Sequence, residues 1–91
     1  MNIAETRLEM MACVEALRQR LVDEPNPDRR LRLVHATRRA VHRLRKQFKR
    51  TIDERARFGF AINEREGIER KLAEAAAAAL TAIDETAGGA S

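Results

Sequence analysis

The sequence predicts an all-α protein, either a three-helix bundle or an extended helical hairpin with coiled-coil-like packing. Three observations carry that expectation. Apolar residues recur at steps of three and four along most of the chain. Both prolines, Pro25 and Pro27, fall in one short segment, so they punctuate the pattern once. Sixteen residues are alanine, the strongest helix former.

The first helix is expected over about residues 3–23. Asn2 and Glu5 have the spacing of a capping box, a polar N-cap with a carboxylate three residues on. Ile3, Met10, Val14, Leu17 and Leu21 then mark a packed seam, and Leu8, Met11 and Val22 widen it. Pro25 and Pro27 stop the helix, because proline lacks an N–H and disfavours helix in the residue before it. The same segment starts the second helix. Asn26 can cap, Pro27 suits the first helical position, and Asp28 complements the helix dipole. So short a connection predicts an antiparallel pair.

The second helix is expected over about 27–57. Val34, Val41 and Phe48 repeat every seven residues, Leu44 falls between them, and Leu31 and Ile52 extend the stripe. Thr37 and Thr51 weaken the other half of the seam, and the heptad fails where it would place Arg55 inward. A helix of that length outruns the first one, so part of its stripe needs a further cover. Phe58-Gly59-Phe60-Ala61-Ile62 follows, and Gly59 together with a second capping box at Asn63 and Glu66 predicts a break or kink near 58–63, with a continuous helix as the alternative. The third helix is expected over about 64–86, with Ile68, Leu72, Ala75, Ala79 and Ile83 inward and Leu80 beside them. The alanine run 75–79 reads first as helix propensity, and alternatively as a close helix–helix contact. Gly88 and Gly89 are expected to end the helix, leaving 88–91 as a frayed tail behind a single helical domain at 1–87.

A chain of 91 residues holds one domain at most and buries a small share of its surface. With 22 large apolar residues beside Met1 and Cys13, no Trp, no Tyr and three Phe, the core is thin. Help from self-association, most simply a homodimer, or from a partner is expected. Cys13 is the single cysteine, set among Met10, Val14 and Leu17, and reads as a buried structural thiol. One cysteine, no apolar run near the length of a membrane span and an N-terminus without signal-peptide layout together predict a cytoplasmic protein with no membrane partner.

Charge is strongly segregated beneath the net +4. Residues 1–28 carry −3 and residues 51–91 carry −3, whereas residues 29–50 carry ten Lys or Arg and no acid. On the second helix these are Arg29, Arg30, Arg32, Arg38, Arg39, Arg43, Arg45, Lys46, Lys49 and Arg50. With Val34, Val41 and Phe48 inward, Arg32, Arg39 and Lys46 fall nearly opposite, and no acid in the stretch neutralises them through i,i+4 pairing. Such a face repels itself and calls for an anion. Nucleic acid answers this best, since arginine forks match phosphates and counterion release drives association. An acidic protein surface is the alternative, which would make the chain an adaptor, chaperone or inhibitor. Acids of the flanking helices, such as Glu9, Glu15, Glu69 and Glu74, could also meet the face internally, and a solvated charged face needs no partner at all.

Other chemistries find little to work with. A helix-turn-helix turn is short and often holds Gly, whereas two prolines occupy this one, and one cysteine excludes zinc-finger spacing. His35 and His42 lie seven apart, about 10 Å along a helix, too far for one metal, so no metal or cofactor is expected. Phe58 and Phe60, beside Arg55 and Arg57, read either as core at a bundle end or as anchors for a protein partner. Serine occurs only as Ser91 and there is no Gly-rich phosphate loop, so catalysis is not expected. Ile52-Asp53-Glu54-Arg55-Ala56-Arg57 resembles one helix of the all-helical chorismate mutases, but that family's later motifs do not follow. Glu5-Thr6-Arg7-Leu8 and Leu17-Arg18-Gln19-Arg20-Leu21 resemble stretches of small helical-hairpin chaperones of type III secretion, and there too the rest of the chain departs from the pattern.

Overall fold

The computed structural model describes residues 2–59 and 62–89. Three helices account for nearly all of them: α1 (Ile3–Val22), α2 (Pro27–Ala56) and α3 (Ile62–Gly89). Each packs against both of the others, and no strand occurs among the described residues. The chain is therefore an all-α three-helix bundle rather than a hairpin. It is a rod of 51 × 17 × 16 Å with a radius of gyration of 15.3 Å. A rounded domain of this length would have about 12 Å, so the long helices set the shape.

The start of each of the first two helices follows from its cap. Asn2 Oδ1 accepts the Glu5 N–H at 2.9 Å, and its side-chain amide donates to Glu5 Oε1 at 3.3 Å. Asn26 Oδ1 accepts the N–H groups of Asp28 and Arg29 at 2.9 and 3.3 Å, with Pro27 opening α2. Both caps satisfy donors that the first helical turn leaves without intrahelical partners.

The core runs the length of the rod. Met10, Val14, Leu17 and Leu21 of α1 meet Val34, Val41, Phe48 and Ile52 of α2, and α3 closes over them with Leu72, Ala75, Ala76, Ala79 and Ile83. The long α2 stripe thus finds its further cover in α3. Ala75, Ala76 and Ala79 are 5, 0 and 0 % exposed. Close helix approach explains these three, whereas Ala77 and Ala78 are exposed and contribute propensity alone. Thr6 is fully buried, and its hydroxyl donates to the Asn2 carbonyl at 3.1 Å. Thr37 likewise donates to the Leu33 carbonyl at 2.8 Å, so a threonine on the seam leaves no unmet donor.

Several sequence expectations need correction. Leu8, Met11, Val22 and Leu31 are exposed rather than part of the apolar face. Leu8 and Val22 lie well round the helix from the Met10–Val14–Leu17 line, so the bundle covers a narrower stripe of α1 than its apolar residues span. Leu33 replaces Leu31 as the partly buried flank of α2. Cys13 is half-buried at the edge of the core, not enclosed by it. The third helix begins at Ile62, so Asn63 sits inside its first turn instead of capping it. It also continues through Gly88 and Gly89, because glycine weakens a helix without forbidding one. The break before α3 is as expected: α2 ends at Ala56, and Gly59 takes φ +100°, a left-handed conformation that suits glycine.

Candidate anion-binding face of helix α2

The inward pull of Val34, Val41, Phe48 and Ile52 fixes how α2 is rotated, and the rotation decides which basic side chains face water. Arg29, Arg32, Arg39, Arg43, Arg45, Lys46, Lys49 and Arg50 are all exposed. Arg32, Arg39, Arg43, Lys46 and Arg50 form the outermost line, about 27 Å from end to end at 1.5 Å rise per residue. None of these eight takes part in an ion pair among the described residues. Arg55 and Arg57 are exposed too, at and just past the end of α2, but Arg55 lies on the side of Phe48 and Ile52 and not on this outer line.

Two of the ten predicted residues have other tasks. Arg30 is half-buried and its Nη1 donates to the carbonyls of Leu21 and Glu24, both at 2.7 Å. It ties the carbonyl end of α1, where a cation also complements the helix dipole, to the start of α2. Arg38 forms an ion pair with Asp84 of α3. Further along, Arg65 of α3 binds Asp53 at 2.6 Å and Glu69 at 3.1 Å. These two cross-helix pairs, 38 with 84 and 53 with 65, show that α2 and α3 run antiparallel. They are well exposed, so they set register more than they add stability.

Internal neutralisation is therefore limited. Among the described residues Glu69 is engaged by Arg65 and Glu15 by Arg18, and neither reaches the basic face. Asp84, which spacing gave no reason to single out, is the flanking acid that does pair with a member of it.

A groove borders this face along the α1–α2 seam. One depression of about 370 Å³ lies among Glu9, Ala12, Cys13, Ala40, Arg43 and Leu44, and a second of about 290 Å³ continues it past Ala16, Leu33 and Ala36. A third, about 510 Å³, opens between Arg29, Arg32 and Arg39 above Leu33 and Ala36. Pairing of residues near 9 with those near 44, and of 16–20 with 33–37, also shows that α1 and α2 are antiparallel. The groove exists because small side chains line both helices, a feature that a search for large apolar residues passes over.

Cys13 forms part of its floor. Burial, reinforced by the negative charge of Glu9, pushes the thiol above its ordinary range, and a backbone hydrogen bond offsets this only in part. The shift disfavours the thiolate, the nucleophilic form of the sulfur. His35 and His42 are exposed on α2, and no cluster of three or more His, Cys, Asp or Glu placed to hold a metal occurs among the described residues. Phe58 is 92 % exposed, which removes it from the core; Phe60 lies outside the described residues. No helix is long and apolar enough to cross a membrane among the described residues. No family model matches the chain, and no curated protein or solved structure matches it.

Proposed function

We propose that the protein is a non-enzymatic binding module that uses the outer face of α2 to hold nucleic acid through its phosphates. The observation that carries this reading is the line of exposed cations, Arg32, Arg39, Arg43, Lys46 and Arg50, with no ion-pair partner among the described residues. Arginine supplies most of the face, and its planar fork suits phosphate oxygens better than a lysine point charge does. Contacts of this kind position a backbone without reading base edges, so weak sequence preference follows. Arg30 and Arg38 belong to the bundle's own architecture and contribute to binding only through the general field.

A homodimer fits the same reading. Leu8, Met11, Val22 and Leu31 leave apolar surface in water, and the buried core is short of large side chains. The lone thiol suits a cytoplasmic setting.

The test is fluorescence anisotropy with labelled duplex and single-stranded probes, titrated across salt. Engagement of the five outermost cations by duplex gives a log–log slope of about −4 to −5. Absence of binding at low salt contradicts the proposal.

A second reading has its own supporting observation, the alanine-lined α1–α2 groove. Its rim carries Arg20, Arg29, Arg32, Arg39 and Arg43 against Glu9 and Glu24. In that reading the chain is an adaptor, chaperone or inhibitor, and an acidic amphipathic helix of a protein partner lays its apolar ridge along the seam. A protein that copurifies after nuclease treatment and is lost on Ala40→Arg substitution favours this alternative.

A further inference from the structure

Beyond the cationic line, in the turn that follows α2, stands an exposed aromatic ring. Of the phenylalanines whose side chains are described, Phe48 is buried at 5 % exposure, whereas Phe58 is 92 % exposed. Phe58 is held by the backbone in the turn that follows α2. Its N–H donates to the Arg55 carbonyl at 2.9 Å, Arg57 N–H reaches Glu54 at 3.3 Å, and Gly59 closes the turn with φ +100°. The flanking Arg55 and Arg57 are exposed as well. Arg50 lies six residues, about 9 Å, before the last residue of α2, and Phe58 stands two residues beyond that end, so the two are a few stacked bases apart.

An aromatic face left in water beside cations is the surface on which single-stranded nucleic acid is held, with phosphates on the charges and a base on the ring. The base faces of a duplex are already covered by their neighbours, so only an unpaired or terminal base can take that place. We propose that Phe58 is a stacking platform, and that the ligand of the α2 face is a nucleic acid bearing an unpaired segment beside the backbone that α2 grips. This rests on the phosphate-binding reading of α2 and adds the class of nucleic acid to it.

The experiment compares a blunt duplex with the same duplex carrying a four-nucleotide 3′ or 5′ overhang, a 2-aminopurine being placed at successive overhang positions. The wild-type chain and the Phe58→Ala and Phe58→Trp variants are titrated with each. Phe58 is almost fully exposed, so its removal should uncover little, and circular dichroism checks that the fold is kept. The wild-type protein is expected to favour one overhang polarity by about five- to hundredfold and to quench one aminopurine position. Phe58→Ala should lose both effects while retaining blunt-duplex affinity, and Phe58→Trp should keep them. Equal wild-type affinity for blunt and overhanging probes overturns the proposal but leaves the α2 reading standing. So does a Phe58→Ala variant that matches wild type on every probe, which would turn attention to Phe58 as an anchor for a protein partner. Failure of every probe to bind overturns both.

Discussion

The guanidinium of Arg30 donates one nitrogen to the carbonyls of Leu21 and Glu24, 2.7 Å from each, and so joins the last turn of α1 to the first turns of α2. A residue that the sequence groups with a basic binding face is therefore part of the interhelical turn. Replacement by alanine should leave these acceptors to water and loosen the α1–α2 corner, at about 1–2 kcal/mol. Thermal unfolding of Arg30→Ala is expected to show a Tm lower by several degrees, with the salt slope of nucleic-acid binding unchanged. An unaltered Tm with a shallower slope would return Arg30 to the binding face.

The alanine run of α3 separates into two roles. Ala79 is fully buried where α3 meets the other helices, so Ala79→Leu inserts side-chain volume for which there is no room. Overpacking of this kind costs about 1–3 kcal/mol. Ala77 faces water, and Ala77→Leu should be close to neutral. Denaturant titrations of the two variants distinguish them, and equal midpoints would contradict the packing.

Cys13 offers a check on the α1–α2 seam. Its thiol is raised first by burial and second by Glu9, so less thiolate is present at any given pH than in an unstructured peptide. Iodoacetamide at pH 7.5 should alkylate it several-fold more slowly than a peptide thiol, with the rate climbing as pH approaches the raised value. Glu9→Gln removes the smaller cause and should speed the reaction modestly. A peptide-like rate in the folded protein would contradict the burial.

Light scattering across concentration tests association. The exposed Leu8, Met11, Val22 and Leu31 predict a dimer mass at tens of micromolar, and the charge-neutral substitution Leu8→Gln should shift the equilibrium toward monomer. A monomer mass at every concentration would contradict the dimer.

Much of the fold was legible because large apolar residues at three- and four-residue spacing locate a helix's inner line. Val34, Val41 and Phe48 gave the rotation of α2, and with it the outward placement of Arg32, Arg39 and Lys46. What periodicity does not carry is the width of the covered stripe, which depends on how far the neighbouring helices wrap; Leu8, Val22 and Leu31 fall outside it for that reason. Nor does it carry contacts distant in sequence. Arg38 with Asp84 and Arg30 with Leu21 are decided by the register between helices, which local spacing does not encode. The α1–α2 groove was missed because alanines mark it, and alanine is uninformative about facing. Phe58 was ambiguous because a Gly-flanked aromatic serves equally well inside a turn or outside it.

The most direct test of the central claim is the triple charge reversal Arg39→Glu, Arg43→Glu and Lys46→Glu, assayed by anisotropy at low salt beside the wild-type chain. All three side chains are exposed and without ion-pair partners among the described residues, so helicity and Tm should be retained or slightly raised as self-repulsion falls. Loss of at least a hundredfold in nucleic-acid affinity is the predicted result. Wild-type affinity in a folded triple variant would contradict the account of α2 as a phosphate-binding face.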